Sequence, residues 1–138
     1  MVEVSIERVM AALPGRVAEV VERLFRERQS SPVELHRMVS DYRNAVEAAV
    51  RGGAFLDVIL ATQIANLLHR MIETLQHPVS AEQHRLVQAA ARYFVIEHDA
   101  ESDRDSLIGF EDDRLVAVAV AAELGVEAGE LSATAASG

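Results

Sequence analysis

Apolar residues recur three and four positions apart along almost the whole of this chain, and glycine and proline stand mainly at the joints between the runs. That spacing gathers apolar side chains on one face of an α-helix; a strand needs strict alternation, which is nowhere sustained. The pattern confines the chain to an all-α fold. With 138 residues, half of them hydrophobic, one domain with its own core is expected.

The joints divide the pattern into five or six helices. Val17, Val20, Val21, Leu24 and Phe25 form one stripe, and Pro14-Gly15 separates it from a shorter helix near Ser5–Leu13. Ser31-Pro32-Val33-Glu34 reads as a helix start, with Ser31 as N-cap, Pro32 at the first helical position and Glu34 closing a capping box. Leu35, Met38, Val39, Tyr42 and Val46 continue that helix inward until Gly52-Gly53 ends it. The stretch from about Ala54 to Gln76 is the most hydrophobic, with only Thr62, Asn66, Arg70 and Glu73 as a polar strip, which predicts the central helix of a bundle. His77-Pro78 breaks it. Ser80-Ala81-Glu82-Gln83 opens the next helix, which runs to about Ile96 with Leu86, Ala89, Ala90, Tyr93 and Phe94 inward. A last helix is expected from about Asp112 to Leu124, stopped by Gly125. The reading is a single-domain bundle over 1–125, with an acidic helix–loop–helix near its end and a flexible tail over 126–138.

Composition excludes several functions. There is no cysteine, so disulfides, thiolate metal sites and cysteine nucleophiles are absent, which suits a reducing cytoplasm. The N-terminus lacks the basic-then-apolar layout of a signal peptide. Asp57, Thr62, Gln63, Asn66, His69 and Arg70 interrupt the most apolar stretch, so no stable membrane insertion is expected. A formal net charge of −9 argues against nucleic acid and anionic lipid as partners. Every basic residue is arginine, in keeping with a GC-rich bacterial coding bias.

Residues 97–113 hold eight acids against Arg104, a net −7 of the formal −9. Like charges this dense call for a solvated path, a cation or a cationic partner. From Glu101 the segment approximates a calcium loop: Glu101, Asp103 and Asp105 at positions 1, 3 and 5, Ile108 at 8, Asp112 at 12. Ser106 stands where that loop needs glycine, and Asp112 is shorter than the bidentate glutamate. A structural alternative has Asp99 and Asp103 capping backbone amides, and Asp112 or Asp113 serving as N-cap of the last helix. A third is a docking surface for a basic partner, with Leu107, Ile108 and Phe110 as apolar anchors inside a rim that includes Asp103 and Asp105. Against it, Ile108 and Phe110 are equally suited to plug the segment onto the core.

Tyr93-Phe94-Val95, Asp99, Asp103, Gly109-Phe110 and Asp112-Asp113 resemble, without a gap in spacing, the signature of the YkvA-like family of small bacterial helical proteins of unknown function. The resemblance covers 93–113 and implies a helix–loop–helix in which Asp99, Asp103, Gly109, Asp112 and Asp113 fix the geometry. It implies no activity. Ser102 and Asp105 replace the family's prolines, and Ala100, Glu101 and Arg104 its large apolar residues, so the connector is acidic here.

No catalytic constellation emerges. His69 and Glu73 are four apart on one helix, but no second helix supplies a matching Glu-x-x-His. His36, His77, His84 and His98 read as isolated, solvent-facing or singly hydrogen-bonded. There is neither a Gly-x-Ser-x-Gly nor a phosphate loop. The expectation is a non-enzymatic, cytoplasmic interaction or regulatory module without a cofactor, acting on another protein through helix faces and 97–113. Surplus apolar helix surface also fits a homodimer. The alternative is a calcium- or magnesium-binding protein using Glu101, Asp103, Asp105 and Asp112.

Overall fold

The structure, a computed structural model, describes residues 4–53, 56–100, 106–129 and 131, with the backbone alone for 96–100 and 106–109. Six α-helices follow one another: α1 (Ile6–Ala11), α2 (Gly15–Phe25), α3 (Pro32–Arg51), α4 (Val58–Glu73), α5 (Ala81–Ala100) and α6 (Ser106–Leu124). A 3₁₀ turn, Thr74–Gln76, extends α4, and no strand occurs among the described residues. The fold is an all-α bundle.

Local chemistry sets the helix starts. The Ser5 hydroxyl accepts the Arg8 amide, and Ser31 and Glu34 form the full capping box behind Pro32. Ser80 accepts the Gln83 amide at 3.0 Å. The hydrophobic fourth helix begins later than its apolar run, because Asp57 accepts the Leu60 amide at 3.0 Å and acts as a cap. At the end of α6 the left-handed Gly125 (φ +75°) lets the Val126 amide reach Ala121 O at 2.9 Å and its own amide reach Ala122 O at 3.3 Å. These are the two bonds of a Schellman stop.

The central position belongs to α5 as well as α4. Helix α5 touches α2, α3, α4 and α6, and six consecutive residues, Leu86–Ala91, are buried around its whole circumference. Three of them are alanines, whose small side chains admit close neighbours. Helix α4 buries Leu60, Ala61, Ile64, Ala65, Leu67, Leu68, Met71 and Ile72 against α3, α5 and α6. The short α1 is held by carboxylates at its amino end. Glu123 of α6 accepts the Ser5 amide at 2.8 Å, and Glu82 of α5 accepts the Ile6 amide at 3.3 Å.

Two boundaries differ from expectation. Helix α6 begins at Ser106, not Asp112, because Phe110, Asp113, Ala117 and Val120 already lie on one buried face. The chain beyond Gly125 is not frayed from Val126 onward: Val126 and Ala128 pack against the core and Leu131 is 1% exposed.

Candidate functional site

Most of the acidic segment is helix. Glu97–Ala100 complete α5 and Ser106–Asp113 belong to α6, with 101–105 between them outside the described residues. Glu101, Asp103 and Asp105, the core of both the metal and docking readings, therefore lie outside the described residues, as do the side chains of Asp99, Leu107 and Ile108. A calcium loop keeps its sixth to ninth positions out of helix; here Ser106–Gly109, which would fill them, are helical. Asp112 and Asp113 stand about two turns inside α6 and do not cap its start. Asp112 Oδ2 lies 3.3 Å from Arg16 Nη1 of α2, and Asp113 is 4% exposed. Among the described residues no group of three histidine or acidic side chains is placed to hold a metal ion.

Phe110 is not a surface anchor. It is 2% exposed, its ring centroid 6.4 Å from that of Phe94, which in turn meets Tyr42 edge-on at 4.8 Å. This aromatic row is core.

What the bundle brings together lies on the opposite side of the sequence. His36 of α3, read as isolated, and His69 of α4, read only with Glu73, stack with ring centroids 4.2 Å apart and planes 17° from parallel. Ser40, one turn beyond His36, places its hydroxyl 3.2 Å from His69 Nε2. Burial, followed by the neighbouring His36 ring, pulls His69 below the ordinary imidazole value, while a hydrogen bond to the His36 backbone and the Glu73 carboxylate act weakly the other way. The sequence held half of this signal. His36 and Ser40 share one face of α3, and His69 and Glu73 share one face of α4, but only the α3–α4 packing joins the two pairs.

The stack borders an open groove of about 620 Å³ between the start of α3 and the end of α4. Pro32, Val33 and Ile72 form its apolar wall, and His36, Arg37, Ser40 and Glu73 its polar one. Val33 is 66% exposed at its edge. A second cavity, about 520 Å³, lies between the polar strip of α4 (Gln63, Asn66, Arg70) and residues 126–129 with Leu131; Arg70 Nη2 donates to Glu127 O across it.

No protein-family model, no curated protein and no solved structure matches this chain. The likeness of 93–113 to the YkvA-like signature rests on those residues alone.

Proposed function

We propose that this chain is a non-enzymatic interaction module whose working surface is the α3–α4 groove, and that its occupant is a segment of a partner protein. One observation carries the reading. Val33 stands largely in solvent at the mouth of an apolar groove, while among the described residues the other large apolar side chains, Ile59 apart, are at least partly covered. A groove between neighbouring helices is the shape into which an amphipathic helix fits, and its volume suits a bound group rather than a packing defect. The acidic segment 97–113 has a separate part here: its charge steers a basic region of the same partner by long-range attraction. The setting proposed is the bacterial cytoplasm, which the cysteine-free composition suits.

Two matched positions test this. Val33 and Ile59 are both exposed aliphatic residues, 66% and 69%, and only Val33 borders the groove. A photo-crosslinking residue at 33 is expected to capture a discrete partner that the same residue at 59 does not, and Val33→Glu should abolish its binding. Equal capture at both positions, or binding that survives Val33→Glu, refutes the groove.

A further inference from the structure

The charges around the groove decide which occupant it accepts. From α3 come His36 and Arg37 at its wall and Arg43 acting on the pair from further along; from α4 come His69, behind His36, and Glu73. Arg43 is paired with Glu47 at 3.8 Å, so at the groove one guanidinium, Arg37, and two imidazoles stand against one carboxylate, Glu73, and each proton the imidazoles take up tips that balance positive. A basic segment would be drawn to residues 97–113, which hold −7 of the formal −9. An acidic one finds its complement here.

We infer that the groove takes an amphipathic helical segment that lays aliphatic side chains on Pro32, Val33 and Ile72 and sets a carboxylate against His36 and Arg37, and that the His36–His69 pair takes up a proton as it binds. The inference rests on the groove being the working surface proposed above. Its physical basis is the stack itself. At 4.2 Å a charge on one ring raises the cost of a charge on the other, and burial of His69 adds to it. An incoming carboxylate offsets both penalties. Proton and partner then favour each other reciprocally, and binding is weaker in neutral and alkaline solution than at mildly acidic pH. Ser40, 3.2 Å from His69 Nε2, stays hydrogen-bonded in either protonation state, because a hydroxyl both donates and accepts.

The test uses the full chain and two synthetic amphipathic peptides of about 14 residues, one built from Leu and Glu, the other from Leu and Lys. The readout is nuclear magnetic resonance of the Val33 methyl groups and the His36 and His69 rings. The Leu/Glu peptide is expected to shift all three and to bind up to about tenfold tighter per pH unit as pH falls from neutral into the mildly acidic range and one proton is taken up. His36→Gln and His69→Gln should each flatten that dependence, and Arg37→Glu should transfer preference to the Leu/Lys peptide. Should either histidine variant unfold, the wild-type His69 ring decides: its titration midpoint must rise when the Leu/Glu peptide is added, and an unchanged midpoint overturns the inference. If both peptides bind equally the acidic occupant is wrong, and if the Leu/Glu peptide binds without pH dependence the proton uptake is wrong; in either case the inference falls and the groove stands. If neither moves Val33, both readings fall.

Discussion

The side-chain carbonyl of Gln88 accepts the backbone amide of Ser30 at 2.7 Å, from the middle of α5 to the connection between α2 and α3. The Gln88 side-chain nitrogen, Nε2, donates to Glu27 O at 3.3 Å, and Gln88 is wholly buried. Its neighbours on α5 extend the clamp. Arg85 donates to Phe25 O, capping the carbonyl end of α2; His84 Nε2 lies 2.7 Å from Ser30 O; Arg92 reaches Arg28 O and the Ser30 hydroxyl. A tight connector that would leave several carbonyls unsatisfied is paired by one helix face, which fixes where α3, and with it the groove, begins.

Replacing Gln88 tests the clamp directly. Gln88→Leu keeps roughly the volume but strands the Ser30 amide and leaves Glu27 O only the long bond from Arg85 at 3.5 Å, and should cost about 1–3 kcal/mol in urea unfolding. Gln88→Glu discriminates further. Its ionised carboxylate accepts from Ser30 but repels Glu27 O, whereas the protonated acid donates there. The deficit of Gln88→Glu relative to wild type should shrink as pH falls toward about 4. A deficit that grows in acid would show that the amide bonds are not what matters.

His69 makes the fold pH-sensitive in a defined direction. Its folded-state value lies below the ordinary 6.5, so as pH falls the unfolded chain takes up the proton first. The stabilisation from neutral His69 is therefore complete above about 6.5, is lost as pH drops through that value, and levels off below the folded-state value. Melting curves of wild type and His69→Gln between about pH 8 and pH 5 should converge or cross in acid. Parallel curves would mean that the stack carries no proton linkage.

Which of these features the sequence discloses follows from their range. Ser31 with Glu34, and Ser80 with Gln83, are caps within one turn, and short-range hydrogen bonds leave a local signature. Asp57 is also a cap, but it sits inside an apolar run, where it reads as an interruption. Gln88 looks like a polar face residue among alanines, because partners about 60 positions away make it buried. The His36–His69 stack depends on the register of two helices, which no spacing encodes. The start of α6 was obscured by charge: eight acids suggest a solvated loop, while the apolar face from Phe110 through Ala117 had already begun.

Glu123 anchors α1. Its carboxylate accepts the Ser5 amide at 2.8 Å and meets the Arg8 guanidinium at 2.6 Å, and these bonds, Arg8 foremost, hold it below the ordinary 4.5. A depressed carboxylate stabilises fully above its unfolded-state value and loses that contribution as pH falls through the lower folded value. Because Arg8 is 61% exposed, the global effect should be small. The expected change is local: Glu123→Gln should speed hydrogen exchange at the Ser5 and Ile6 amides, with α5 amides unaltered. Uniform acceleration throughout the bundle would contradict a local anchor.

Phe110 separates core from docking surface. As an interior residue packed beside Phe94, it should cost about 3–5 kcal/mol on truncation in Phe110→Ala, measured by chemical denaturation. A variant of near wild-type stability that loses partner binding would return Phe110 to the surface role expected from the acidic segment.

The stop of α6 decides whether 126–131 is part of the domain. A methyl group at Gly125 would meet nothing within 4 Å, so any cost of Gly125→Ala comes from its φ of +75° rather than from crowding. The penalty should be about 1–2 kcal/mol, and Gly125→Asn should recover part of it, since asparagine tolerates the left-handed region. The stop also directs Leu131 to its buried site, 1% exposed. Gly125→Ala should therefore expose the segment after α6 to limited proteolysis before the helices themselves are cut. Cleavage there at the wild-type rate would mean that the segment is held by Leu131 and the Arg70–Glu127 bond alone, without help from the turn.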